Sequence, residues 1–337
     1  MKKTTIKDIA VKIGVSPSTI SRALSDHPDI SDSLKIKIQE IARKLKYRPS
    51  AAALHLKRGT NKNIALILPQ ITSFFYPSVI HGMEEILHQQ GYTLIILPTN
   101  DLYEREIENI DIALDQNVAG VIIAVSKETN NTDHFVVLQE AAIPIILIDK
   151  IIENANITTI TIDDFKVSYQ MVQHLYKTGC RNIAGIFGKA RQSITHQRYN
   201  GYAQALRDLN LNILEDQVFF VNSSSDAYQK CDLLLSNYSP DGLYLMTDEI
   251  MLGAMPAINK KGLKVPDDIS VIAISDGYLA QYMLPRVSHM KHDGYELGNL
   301  SAQKIIQYIN NKQHNIPINS TEKIMMNTNI VLFESTR

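Results

Sequence analysis

The chain has 337 residues, 45 % of them apolar and 20 % charged, with 34 Lys and Arg against 35 Asp and Glu. That length exceeds a single typical core, and that composition excludes a wholly disordered chain. Cys180 and Cys231, the only two cysteines, exclude a disulfide scaffold and suit a reducing compartment, and the longest apolar runs, Val118–Val125 and Ile143–Ile148, are too short to cross a bilayer.

Met1-Lys2-Lys3 is followed by polar residues and not by an apolar run, so no secretory signal is expected and the chain is placed in the cytoplasm. Thr5 is a predicted N-cap for a helix whose apolar residues Ile6, Ile9, Ala10 and Ile13 recur at helical spacing. Gly14 stops it and Val15 fills the turn. Ser16 caps a second helix, with Pro17 at the first position, where a missing N–H is harmless. Two helices joined by so tight a turn make a helix-turn-helix, whose second helix enters the major groove of DNA. Its predicted outward side holds Pro17, Ser18, Ser21 and Arg22. A guanidinium such as that of Arg22 bonds guanine bidentately, and the hydroxyls of Ser16, Thr19 and Ser21 suit phosphate oxygens.

Ser31 is the predicted cap of a third helix, with Leu34, Ile38, Ile41, Ala42 and Leu45 on one stripe and Lys35, Lys37, Arg43, Lys44 and Lys46 on the other side. Tyr47-Arg48-Pro49 ends it. Ser50–Arg58 is an alanine-rich segment too short for a stable helix alone, and reads as a linker or as a hinge helix that pairs with its own copy. Residues 1–62 carry 14 Lys and Arg against 5 Asp and Glu, a net of +9, while the remainder carries a net of −10. A basic head on an acidic body suits an arm that meets a polyanion. The predicted divisions are a DNA-binding headpiece over 1–49, a hinge over 50–62 and a two-lobed body over 63–337.

Thr5–Ala10, Gly14–Leu24 and Tyr47–Ser50 resemble the headpiece signature of the lactose-repressor (LacI/GalR) family. The resemblance implies a homodimer that sets two headpieces on a near-palindromic operator. It puts Pro17, Ser18 and Arg22 where that family reads bases. It matches Leu56 to a leucine that wedges between base steps and Lys57 to a lysine beside it in the minor groove. Thr5, Tyr47, Ser50 and His55 complete the expected contacts. Leu54 departs from the pattern, standing where the family often has arginine.

From Asn63 the pattern changes. Short apolar runs, Ile64–Leu68, Thr93–Leu97, Val121–Val125, Ile145–Ile148, Thr159–Ile162, Ile183–Phe187, Val218–Val221, Leu243–Met246 and Ser270–Ile274, read as strands. Amphipathic stretches between them, such as Pro77–Gln90, Glu104–Gln116, Val167–Thr178, Gln197–Leu209 and Glu249–Lys261, read as helices. The alternation predicts α/β lobes with parallel sheets, and the body is long enough for two. Ligands of such sheets sit beyond the carboxyl ends of the strands. Residues there include Phe75, Tyr76, Asp149, Arg198, Thr247-Asp248 and Asp276. Carboxylates and a guanidinium take paired hydroxyls, and rings take the apolar face of a sugar.

The resemblance continues through the body and implies a core similar to periplasmic sugar-binding proteins, crossed more than once by the chain. Carried over by position, Phe75, Tyr76, Asp149, Gln192, Ile194, Arg198, Asn222, Thr247 and Asp276 would face a small effector, expected to be a sugar or sugar derivative. Thr247 stands where asparagine is common, and Ser275-Asp276-Gly277 replaces the usual Phe-Asp-Asp or Phe-Asp-Asn. Neither Asp163-Asp164, Asp267-Asp268 nor the His289 and His292 pair has metal-ligand spacing, and no phosphate loop or nucleophile elbow is present. No metal, cofactor or catalytic activity is therefore expected. The expected function is a sequence-specific, effector-controlled transcriptional repressor. The other reading is a sugar-binding protein whose basic head serves a non-DNA contact.

Overall fold

A computed structural model of the chain describes residues 4–45, 47, 61–71, 74–152, 155–190, 192–314, 316 and 321–337. The chain divides into two compact units, Met1–Asn61 and Lys62–Arg337. In the first, α1 (Ile6–Ile13), α2 (Pro17–Leu24) and α3 (Asp32–Lys44) pack around Ile9, Ile20, Ala23, Ile38 and Ala42. Thr5 opens α1 with a reciprocal cap: its hydroxyl accepts from the Asp8 N–H while the Asp8 carboxylate accepts from the Thr5 N–H at 2.7 Å. Gly14 closes α1 with φ +79°, a left-handed conformation that glycine adopts without steric cost. Ser16 Oγ accepts from the Thr19 N–H at 3.1 Å and Pro17 follows at the first helical position, so α2 starts where its caps dictate.

Two details of the headpiece differ from expectation. Ser31 stands at the cap of α3, but its side chain makes no bond to the helix backbone. Lys35 is not a free member of a basic face: its ammonium lies 2.7 Å from Asp26 and 3.5 Å from Asp32, and its side chain is largely covered.

The second unit holds two six-stranded sheets. The first runs in the order β11-β5-β4-β3-β1-β2, from β1 (Asn63–Leu68), β2 (Thr93–Pro98), β3 (Gly120–Ile123), β4 (Ile145–Ile148), β5 (Thr158–Thr161) and β11 (Lys323–Met325). The second runs β12-β10-β9-β8-β6-β7, from β6 (Ile183–Phe187), β7 (Val218–Phe220), β8 (Gly242–Leu245), β9 (Ser270–Ser275), β10 (Ser288–Lys291) and β12 (Ile330–Val331). Every described pairing is parallel except β10 with β12. Strand β1 shows why: Ile64, Leu66 and Leu68 face one core while Ala65 and Ile67 face another, so both sides of the sheet are covered and the run is apolar throughout. The chain passes between sheets after β5, after β10 and again between β11 and β12.

Helices α4 (Phe75–Gln89), α5 (Tyr103–Asp115) and α6 (Val136–Glu140) belong to the first lobe. Helices α7 (Asp164–Lys177), α8 (Ser193–Asp208), α9 (Ser224–Asn237) and α10 (Asp248–Lys260) belong to the second, and α11 (Gly294–Gln313) returns to pack along α4. The α4–α11 contact is closed by glycine: a Cβ on Gly298 would stand 2.1 Å from the Val79 carbonyl oxygen, and one on Gly82 the same distance from that of Tyr295. Among the described residues no helix is long and apolar enough to cross a membrane.

Candidate functional site

The headpiece presents α2 as the sequence implied. Ile20 and Ala23 are buried, while Ser16, Pro17, Ser18 and Arg22 are exposed and Thr19 and Ser21 half-buried. The Arg22 side chain is 55 % exposed, with only a long contact of 3.8 Å to Asp29, so its guanidinium is available to a base edge. The hydroxyls of Ser18 and Thr19 lie 2.9 and 2.8 Å from Ser16 Oγ, which ties two predicted phosphate contacts, Ser16 and Thr19, and the predicted base contact Ser18 to one cap. Thr5 is exposed at the start of α1, and the half-buried Tyr47 packs on the headpiece core. Ser50, His55, Leu56 and Lys57 lie outside the described residues, as does the rest of the predicted hinge.

In the second unit the carboxyl ends of the strands open onto a cleft of about 190 Å³. All nine residues predicted for the effector, Phe75, Tyr76, Asp149, Gln192, Ile194, Arg198, Asn222, Thr247 and Asp276, line it. Phe75 and Tyr76 stand in the first turn of α4, with their rings edge to face at 5.6 Å. Asp149 follows β4 in a left-handed conformation, φ +55°, and accepts the Tyr76 hydroxyl at 2.8 Å. Burial, and then the Asp149 carboxylate, hold the Tyr76 phenol well above its ordinary value, so Tyr76 remains a donor at neutral pH.

Arg198 is 2 % exposed on α8. Its Nε donates to Asp164 at 2.7 Å and its Nη1 to the Met246 carbonyl at 2.9 Å. Burial pushes the Asp164 carboxyl up to about 6 against the opposing pull of that guanidinium. Asp276 follows β9 and accepts from the Ser78 hydroxyl at 2.6 Å and from the Tyr278 N–H at 2.9 Å. Because Ser78 is on α4 and Asp276 follows a strand of the other sheet, this bond ties the lobes together. Thr247 caps α10, its Oγ1 accepting from the Ile250 N–H, so its place in the cleft wall also has a structural cause.

Asp101, Lys189, Asp248 and His292 also line the cleft, outside the nine predicted contacts. Asp101, after β2, and Lys189, after β6, form an ion pair across the cleft at 2.6 Å. Asp248, the first residue of α10, is 7 % exposed, and burial pushes its carboxyl up to about 7 against a hydrogen bond with Ser275. His292, after β10, is 4 % exposed and lies against Phe75 with ring centroids 4.2 Å apart. Its burial holds the imidazole at about 4, hence neutral. The position of Asp248 was readable, since it directly follows the β8 run; His292 follows a strand that the apolar pattern does not show. Among the described residues no cluster of His, Cys, Asp or Glu is arranged to hold a metal ion.

Comparison with known proteins accords with this division. Residues 5–50 match the family model "Bacterial regulatory proteins, lacI family", and residues 61–327 match "Periplasmic binding proteins and sugar binding domain of LacI family". The chain is 31 % identical to a Bacillus subtilis (strain 168) protein named "Probable HTH-type transcriptional repressor ExuR", over 99 % of this chain and 98 % of that one. It is 27 % identical to catabolite control protein A of Priestia megaterium, over 91 % of this chain and 92 % of that one. A solved structure of the lac repressor dimer bound to operator and an anti-inducer has the same fold, with a TM-score of 0.84, 20 % identity and 99 % of each chain covered. The match of both the headpiece and the body to one set of regulators establishes the family: this chain belongs to the LacI family of bacterial regulatory proteins.

Proposed function

We propose that this DNA-binding transcriptional regulator acts as a cytoplasmic, nucleoid-bound homodimeric repressor, seated on a near-palindromic operator and controlled by a sugar or sugar derivative in the cleft. The observation that carries the reading is one cleft, at the carboxyl ends of the strands, walled by Phe75 and Tyr76 and bearing Asp149, Arg198 and Asp276, on the same chain as a capped recognition helix. Pro17, Ser18 and Arg22 read base edges, while Thr5, Ser16, Thr19, Ser21 and Tyr47 position the headpiece on phosphates. Ser50, His55, Leu56 and Lys57 form a hinge that reaches the minor groove. The cleft contacts act on DNA affinity because the effector favours one arrangement of the lobes over another; without differential affinity no shift occurs.

A second copy is expected to dock on an exposed aromatic patch of the second lobe. Tyr278 and Tyr282 are 62 % and 69 % exposed with rings 5.5 Å apart, and Leu284 beside them is 84 % exposed. The test is a gel shift on the promoter region of the chain's own gene, with a panel of sugars added. Specific retardation that a sugar alters supports the reading; retardation indifferent to competitor sequence overturns it. The relatives named above are transcriptional regulators, and the chain is read as a regulator and not as an enzyme.

A further inference from the structure

We propose that Asp248 Oδ1 and His292 Nε2 are effector contacts that read hydroxyl groups of an uncharged hexose, an assignment that rests on the reading of the cleft as the effector site. Both side chains line the cleft and both are more than nine-tenths buried. Neither of these two atoms has a hydrogen-bond partner among the described residues. A buried polar atom left without a partner destabilises a fold, so its retention points to a role outside the fold itself.

Both groups are held where they stand. The backbone N–H of His292 donates to the Ser275 carbonyl at 2.8 Å, and the imidazole ring lies against Phe75 with centroids 4.2 Å apart. Asp248 begins α10 beside Ser275 and Asp276, so the two unclaimed atoms flank the end of the same strand, β9. A side chain fixed by its neighbours while its polar tip stays idle is what a preorganised binding group requires.

The surroundings set the chemical class. Burial favours the neutral imidazole of His292 and raises the Asp248 carboxyl, so each can serve a hydroxyl as donor or acceptor. Of the cationic lining groups, Arg198 is bound to Asp164 and Lys189 to Asp101, which leaves one lysine, Lys150, in a lining that also holds Asp149, Asp248, Glu249 and Asp276. An anionic sugar would enter this excess of carboxyl groups at a disadvantage, whereas a neutral polyol meets donors and acceptors and an aromatic wall.

The experiment is thermal unfolding of the full-length protein and of the variants His292→Phe and Asp248→Asn. Each is melted free and with D-glucose, D-galactose, D-mannose, D-glucuronate or D-glucosamine. His292→Phe keeps the ring against Phe75 and deletes the idle nitrogen. The free variant is expected to melt above the parent, because a burial defect is removed. A neutral hexose is expected to raise the parent's melting point, and its affinity is expected to fall about 10-fold or more in either variant. A free His292→Phe protein that melts well below the parent overturns the assignment, since the nitrogen is then structural. So does a hexose shift that both variants retain in full, while the sugar reading of the cleft survives. A shift by glucuronate or glucosamine alone overturns the uncharged class. No shift by any of the five sugars overturns the hexose reading of the cleft itself, and this inference with it.

Discussion

Arg22 and Asp248 illustrate two ways in which a single side chain is made ready for work. Arg22 is exposed on a helix whose other face is buried, so its guanidinium enters a complex without first breaking a strong internal pair. Arg22→Ala is expected to relax base preference at one operator position by about 1–3 kcal/mol and to leave the other positions unchanged. Selection of binding sequences from a random pool checks this; an unaltered preference would remove Arg22 from base readout. Asp248 is the opposite case, a carboxyl that burial has pushed from the usual carboxylate range to about 7. A folded-state pKa above the unfolded one means that its favourable contribution is full at acid pH and is lost as pH rises towards 7 and beyond. Asp248→Asn removes that dependence, so the variant's advantage in melting temperature over the parent is expected to be larger at pH 8 than at pH 5. Equal differences at both pH values would show that Asp248 ionises normally. The nine predicted cleft residues were found because each matched a family position, most of them just after an apolar run. Asp101, Lys189 and His292 carry no such mark. Their importance comes from what lies opposite them in space, and neither spacing nor composition records that.

At the level of elements, strands buried on both faces were legible because a continuous apolar run of four to six residues, bounded by glycines and helices, fits little besides a covered strand. β4 and β6 fall on Ile145–Ile148 and Ile183–Phe187, as their apolar runs imply. β10, β11 and β12 were not legible. Three of the four residues of Ser288–Lys291 are polar, and Lys323–Met325 and Ile330–Val331 have three and two residues, so neither period nor apolar content marks them. Those are also elements through which the chain passes between lobes; the cleft's latch, by contrast, follows strands that were legible and was missed because its partners meet only in space. That latch joins Asp101, held on its own lobe by the Lys127 N–H at 3.0 Å, to Lys189 of the other lobe at 2.6 Å, with the Ser78–Asp276 bond as a second tie. Asp101 has φ +63° and Asn100 before it φ +52°, a pair of left-handed residues that the surrounding bonds must hold in place. Asp101→Asn and Lys189→Met are each expected to raise hydrogen exchange along both rims of the cleft. The double variant is expected to be no looser than the looser single, because the two changes delete one interaction. Strictly additive loosening would show that the two side chains act independently and that no latch exists.

For the molecule as a whole, the informative quantity is the separation of charge, +9 over residues 1–62 against −10 over the rest. Neutralising phosphates releases counterions, so operator affinity should fall steeply with salt, with a log–log slope proportional to the number of contacts. One small headpiece makes few contacts; two headpieces on linked half-sites double the slope and gain affinity because the second docking is intramolecular. The link is expected to be the patch of Tyr278, Tyr282 and Leu284, which is too apolar and too exposed to be left bare without reason. Tyr282→Glu places a charge in that patch at a residue that is 69 % exposed in the single chain, so the chain's own fold should tolerate it. Sedimentation is expected to show the variant at half the parent's mass. Its salt slope on operator should fall to about half and its affinity by about 10²-fold or more. Sugar-induced thermal stabilisation should survive, because Tyr282 is not among the residues that line the cleft. A variant that sediments with the parent places the dimer contact elsewhere. A monomer that binds operator with the parent's slope would show that one headpiece suffices, and the two-headpiece account of this repressor would then fail.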